Sequence, residues 1–236
     1  MRGRDLFWHA RNKNVRLQPR GRLAQLAEAA AFRLGPLLAS RSQPVFTERV
    51  VEYPFVFRAL PPPPARVLDF GAYEDLLPLH LASLGYDVVA RDVRGYPFPH
   101  PRVTVDRRDV FEGAGEAEYD AVVSVSTIEH VGLPDSGGRV EPDGDRRCVE
   151  LLLRALRPGG VLVATVPFGA AVETAFDRIY DLAALARVFP GADVTVFARG
   201  PSGAWTEADP REAERRSYSP GGWAWVSAVA CLVVTR

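Results

Sequence analysis

Between residues 66 and 166, short continuous apolar runs alternate with stretches of helical period. Runs of this kind, rich in β-branched residues, predict strands buried on both faces. They occur at Arg66–Phe70, Asp87–Arg91, Val103–Val105, Ala121–Ser126 and Val161–Val166. Helices are predicted over Asp75–Leu84 and Asp145–Leu156, the second ending at an Arg-Pro-Gly-Gly turn at 157–160 whose glycines permit left-handed backbone. Strand–helix–strand alternation implies right-handed crossovers and a doubly wound parallel sheet, with ligands received at the carboxyl ends of its strands. The tail differs: a helix near Leu182–Val188, a strand over Asp193–Ala198, a polar loop from Arg199 to Gly222 and a closing strand over Trp223–Thr235. Two closing strands with no helix between them pair antiparallel.

The expected fold is therefore α/β: a Rossmann-like, doubly wound, mostly parallel seven-stranded sheet with an antiparallel last strand. An N-terminal helical extension precedes it. In that extension Leu23, Leu26, Ala27, Ala30 and Leu34 recur at helical spacing, and Gly35-Pro36 supplies the stop. A second short helix follows around Thr47–Leu60, with Thr47 as N-cap. The four prolines at 61–64 form a stiff lead-in that cannot continue a helix, so the first strand must start at Arg66. Two domains result: a basic helical extension over 1–45 and a Rossmann-like domain over 46–236.

Charge changes this picture little. The 236 residues carry 29 basic and 29 acidic side chains, which gives no general pull towards nucleic acid or an anionic membrane. Residues 1–50 hold ten Arg or Lys against Asp5, Glu28 and Glu48; a solvated extension accounts for that local excess better than an RNA-binding arm does. Glu28, Arg33 and Pro36 interrupt the apolar stretch 23–40, and Trp223–Thr235 falls short of the roughly 20 residues a membrane crossing needs. Cys148 and Cys231 stand apart and outside any CxxC pattern, so neither a disulfide framework nor a zinc site is indicated and a cytoplasmic location is expected.

Candidate chemistry falls at the strand ends. Residues 66–92 read as strand, glycine turn, helix, strand and terminal carboxylate, half of a nucleotide-binding βαβ unit. Gly71 lets the backbone approach a ligand, and Asp92, 23 residues after Asp69, is placed to accept from two ribose hydroxyls. The turn Gly71-Ala72-Tyr73-Glu74 lacks GxGxxG, so by itself it does not choose between a nicotinamide and an adenosyl ligand. Asp109 follows the third strand, and Ser126 with Thr127 ends the fourth. An adenosyl ligand lying across these tips needs acceptors for its ribose hydroxyls and its adenine amino group, roles open to Asp92 and Asp109; solvated loop acids are the other reading.

The segment from about Thr47 to Gly169 resembles the class I S-adenosylmethionine-dependent methyltransferases, and more narrowly their members linked to sugar or surface-polysaccharide modification. The resemblance is carried by Val-Leu-Asp-Phe-Gly at 67–71, Ala-Arg-Asp at 90–92, Arg-Asp-Val at 108–110, the run from Tyr119 through Ser126-Thr127-Ile128-Glu129-His130 to Gly132, and Leu-Arg-Pro-Gly-Gly through Gly169. Glu-Tyr-Pro at 52–54 supports the narrower likeness. It implies S-adenosyl-L-methionine as cofactor, held around Asp69, Gly71, Tyr73, Asp92, Asp109, Val110, Ser126 and Thr127. Tyr73 stands where the family usually carries a second glycine. The implied partner is a small, sugar-like acceptor methylated at a hydroxyl or amine. Methyl transfer needs in-line alignment and a base, for which His130 is the candidate, with Glu129 orienting it or binding substrate; both can also pack beneath the cofactor. Substrate contacts are expected from Phe168, Arg178, Tyr180, Arg199 and Trp205. In the loop from Pro134 to Gly144, Gly138 is expected to turn the chain and Asp145 to cap the following helix, in preference to a lid or a cation site at Asp143 and Asp145. A nicotinamide-dependent oxidoreductase fits less well, since GxGxxG and a Tyr-x-x-x-Lys pair are missing; a non-catalytic adenosyl-binding protein of the same fold remains a further reading.

Overall fold

A computed structural model describes residues 47–73, 75–217 and 227–236. The helix expected over 23–34, the extension that holds it, and the first residues of the expected closing strand lie outside the described residues. Helix α1 (Arg49–Ala59) leads through the prolines to β1 (Arg66–Phe70). Then follow α2 (Leu77–Ser83), β2 (Asp87–Arg91), β3 (Val103–Asp106), β4 (Tyr119–Val125), α3 (Gly144–Ala155) and β5 (Leu156–Pro167). A small hairpin, β6 (Val172–Glu173) and β7 (Arg178–Ile179), precedes α4 (Leu182–Val188) and β8 (Asp193–Arg199). The chain closes with β9 (Trp205–Glu207), α5 (Pro210–Ala213) and β10 (Ala228–Thr235).

The main sheet runs β3-β2-β1-β4-β5-β10-β8-β9. β3 through β5 pair in parallel, and β10 inserts antiparallel between β5 and β8. The sheet has eight strands and not the expected seven, because Trp205–Glu207 adds a short antiparallel edge to β8 within the stretch read as polar loop. That strand and the α5 turn are too short for three or four residues to show a period. The Arg-Pro-Gly-Gly segment is likewise absorbed into β5. The register jumps from Tyr119 opposite Leu156 to Ala121 opposite Val161, so these residues form a bulge, with Gly159 at φ +79°.

Apolar faces explain the layering. Phe55 and Val56 of α1 and Leu77 and Leu81 of α2 pack on Val67, Ala121, Val123 and Val163, which point to one side of the sheet. Cys148, Val149 and Leu152 of α3, with Leu185 and Val188 of α4, cover Leu68, Val122, Leu162 and Leu232 on the other. Alternation along each strand sends successive side chains to opposite faces, which is why central strands covered on both sides read as continuous apolar runs.

Thr47 does not cap α1. The N-cap is Glu48, without a side-chain bond, and Thr47 contributes only its carbonyl, to Val50 N at 3.2 Å. The helix is anchored from inside by Arg49 and Glu52. At the other edge, wholly buried Arg91 donates to Asp106 at 2.8 and 2.5 Å and to the Gly113 carbonyl at 3.0 Å, clamping the tips of β2 and β3.

Leu162 is fully buried at the centre of β5. Leu162→Ala is expected to lower the unfolding free energy by about 2–5 kcal/mol through lost transfer energy and the cavity left behind. Urea titration checks this, as a lower midpoint with an unchanged slope.

Candidate functional site at the strand tips

The carboxyl ends of β1, β2 and β4 bring together most of the residues singled out from the sequence. Asp69 lies in β1 opposite Ala90 of β2 and Val123 of β4, 2% exposed. Its Oδ2 has no hydrogen-bond partner among the described residues, and burial pushes its carboxyl up to about 7. A buried acid without a donor is uncharged until the pH is high or a cation arrives.

Gly71 follows at φ +88°, its N–H bonded to the Arg91 carbonyl at 2.8 Å. A Cβ here would stand 2.1 Å from Thr127 Oγ1 and 2.6 Å from Thr127 Cβ. Glycine at this turn thus admits the Thr127 side chain, whose hydroxyl donates to the Val125 carbonyl at 3.1 Å.

Asp92 is buried at the tip of β2, and both its oxygens are taken by Arg94. Oδ1 accepts from the Arg94 N–H at 2.8 Å and Nε at 3.1 Å, Oδ2 from Nη2 at 3.2 Å. The Arg94 guanidinium in turn lies 4.1 Å over the ring of Tyr73. The residue replacing a second glycine is thereby tied to the acid at the next strand tip. Asp109 caps the 3-10 turn Val110–Glu112: it accepts from Phe111 N at 2.9 Å and, on its other oxygen, from Arg139 N at 3.3 Å. Val110 is core, 3% exposed.

Ser126 follows β4 at φ +45°, a conformation uncommon for a residue with a side chain. Its hydroxyl donates to Glu52 Oε1 at 2.9 Å and accepts from Arg49 Nη1 at 2.9 Å. Glu52, fully buried, also accepts from Thr165 Oγ1 at 2.6 Å and pairs with Arg49. Tyr53, next on α1, donates to Asp75 just beyond the glycine turn. Reading the sequence missed Arg49, Glu52 and Thr165 as one cluster, and the Glu-Tyr-Pro signature at 52–54 was the only sign of it.

Glu129 and His130 form the 3-10 turn after β4. Glu129 is 2% exposed, with Oε2 unpartnered among the described residues; burial, then the charge of Glu52, hold its carboxyl well above the usual range. His130 turns towards the β6–β7 hairpin, with Nδ1 2.7 Å from the Phe176 carbonyl and 3.1 Å from Asp177 Oδ1. Its Nε2 is 3.9 Å from Glu129 Oε1, and the Phe176 ring lies 4.6 Å away, centre to centre.

On the other side of that hairpin a cleft of about 600 Å³ opens between the loop 132–143 and α4. Its floor corrects the expectation for Asp145. This buried side chain is not the helix cap, which is Asp143 at φ +53°; it accepts from the Tyr180 hydroxyl at 3.1 Å and from Arg146 N. Arg178 braces the same floor through Glu173 at 2.8 Å and the Val131 carbonyl at 2.7 Å. The loop turns in left-handed conformation at Gly132 (φ +83°) and Gly137 (φ +78°) and not at Gly138. Of the expected substrate contacts, Phe168 and Tyr180 are core, while Arg199 and Trp205 pair across β8 and β9 at the far edge.

The model of a family described as a Caenorhabditis protein of unknown function, DUF268, matches residues 111–214. No curated protein is matched by the sequence. Several solved structures share the fold. An S-adenosylmethionine-dependent methyltransferase of Mesorhizobium loti superposes with a TM-score of 0.52 at 14% identity, over 78% of this chain and 97% of that one. One from Methanosarcina mazei gives the same figures. The 1,6-didemethyltoxoflavin-N1-methyltransferase of Burkholderia thailandensis, solved with 1,6-didemethyltoxoflavin and S-adenosylhomocysteine, gives 0.50 at 16% identity over 94% and 93%. At these identities the likeness establishes the fold alone, a Rossmann-like α/β architecture that this chain shares with those proteins.

Two outcomes follow from the electrostatics. The unfolded chain ionises Asp69 near pH 4, whereas the folded chain keeps its proton up to about 7, so this residue's contribution to stability falls as pH rises through that window. Asp69→Asn is expected to flatten that part of the pH dependence of the urea midpoint and to gain most stability above pH 7. Glu52→Ala, which leaves Arg49 with Glu48 at 3.6 Å and takes the shared acceptor from two hydroxyls, is expected to cost about 3–5 kcal/mol by the same measurement.

Proposed function

We propose that this chain transfers a methyl group from S-adenosyl-L-methionine to a small-molecule acceptor, at a hydroxyl or amine of a sugar-like compound. The observation that carries the reading is the pair of acids flanking the Gly71 turn. Asp69 keeps a buried oxygen without a donor among the described residues, and Asp92 lies at the β2 tip where its oxygens accept from Arg94, whose side chain is 57% exposed. A ligand bearing an ammonium group and a ribose meets both needs. The ammonium satisfies Asp69, and vicinal hydroxyls replace the exposed Arg94 guanidinium on Asp92, exchanging one set of charge-assisted bonds for another. Asp109 keeps its capping role and offers its remaining lone pairs. When bound, the cofactor supplies an electrophilic methyl on a sulfonium.

What this chain adds is alignment and proton handling. His130, 27% exposed at its side chain, is the general base, and the buried Glu129 carboxyl lines the same position. Phe176, 43% exposed beside the imidazole, offers a ring face on which a sugar can stack. The turn without GxGxxG and the antiparallel β10 speak against a nicotinamide cofactor.

Calorimetry tests this. S-adenosylhomocysteine is expected to bind, and Asp92→Ala to weaken it on the order of 100-fold, the worth of two hydrogen bonds to a charged group. Near pH 6 the heat should vary with the buffer's ionisation enthalpy, because the entering ammonium releases the Asp69 proton. Binding of NADH in its place would refute the proposal. Binding without turnover over a panel of hexoses and aminosugars would leave a non-catalytic adenosyl-binding protein.

A further inference from the structure

His130 is held from a direction the sequence does not indicate. Glu129, its neighbour, is 3.9 Å from Nε2, too far for a hydrogen bond, and its carboxyl is buried and inclined to stay uncharged. The charges of Glu52 and Arg49 also act on the Glu129 carboxyl, the first raising it and the second lowering it. At the opposite edge of the ring, the tip of the β6–β7 hairpin presents two acceptors to one nitrogen: the Phe176 carbonyl at 2.7 Å and Asp177 Oδ1 at 3.1 Å, both on Nδ1. That tip is built to stay in place. Thr174 Oγ1 accepts from Asp177 N at 2.8 Å and Phe176 N at 3.2 Å, and Thr174 N donates to the Asp177 carbonyl at 2.9 Å. Asp177 is itself 7% exposed.

A carbonyl oxygen only accepts, so Nδ1 must carry the proton, and in the neutral ring the lone pair is left on Nε2. We propose that Asp177, and not Glu129, is the positioning residue of this site: with the Phe176 carbonyl it fixes the Nδ1–H tautomer of His130 and presents Nε2 to the acceptor. This rests on the methyltransferase reading above. During transfer the acceptor's oxygen or nitrogen gains the methyl, its proton passes to Nε2, and the sulfonium leaves as a neutral thioether. The imidazolium so formed lies against the Asp177 carboxylate. A carboxylate behind Nδ1 favours this charged product over the neutral ring, which is how such a group assists a base without touching substrate.

The test is nitrogen-15 NMR of the histidine rings in the full chain with S-adenosylhomocysteine added, the His130 signals being identified as those lost in His130→Ala. The wild-type ring is expected in the Nδ1–H form. Asp177→Ala, which leaves the Phe176 carbonyl as the remaining acceptor on Nδ1, should mix in the Nε2–H form, and Asp177→Asn, which keeps an acceptor oxygen and the shape, should restore unmixed Nδ1–H. On an aminosugar or hexose that is turned over, Asp177→Ala should lower kcat by roughly 100-fold with KM for the methyl donor unchanged, the lower end of what general-base assistance contributes. An Nε2–H ring in the wild type, or an Nδ1–H ring persisting unmixed in Asp177→Ala, overturns the role given to Asp177. Full turnover by His130→Ala overturns the base assignment instead, and is read independently of the tautomer.

Discussion

A single buried carboxylate organises the strand-tip end of this fold. Glu52 reaches from α1 across the tips of β4 and β5, where Arg49, Ser126 and Thr165 surround it. An isolated charge so deep is prohibitively costly, and a bonded one is tolerated only while every partner keeps its place. α1 is thereby fixed to the sheet by chemistry as well as by the apolar contacts of Phe55 and Val56. The cluster also explains why Ser126 adopts φ +45°: its hydroxyl is bonded to Glu52 and Arg49. The left-handed residue reverses the chain, sending Thr127 towards Gly71 and starting the turn that carries Glu129 and His130.

Much of the fold was legible because its signals are local or periodic. The prolines at 61–64 locate the start of β1, the buried parallel strands show as apolar runs, and the pairing of β8 with β10 follows from the missing crossover. Departures occur where a tertiary partner outweighs a local preference. Asp145 has the composition of a helix cap, yet Tyr180, 35 residues later, offers a better-buried bond. Thr47 is a good capping residue beside an anchored one. β9 has three residues, too few to carry a pattern.

The site was legible in position and less so in state. Asp69, Asp92 and Asp109 stand at successive strand tips as their spacing implies, but spacing says nothing of what each touches. One is buried without a donor among the described residues, one is gripped by an arginine two residues on, and one caps a turn. Desolvation raises the carboxyl of the first, an effect its spacing in the sequence does not announce. The cluster around Glu52 and the contact between His130 and Asp177 join residues 113 and 47 positions apart, a separation at which no local pattern survives.

The contact between Gly71 and Thr127 limits how related sequences can differ. With no room for a Cβ at 71 while any β-carbon occupies 127, the two positions are not free to drift separately. A side chain at 71 becomes acceptable only on a background in which 127 has already been reduced to glycine and the left-handed turn has been rebuilt. In the language of evolution the pair is epistatic, and a one-step path through 71 is closed.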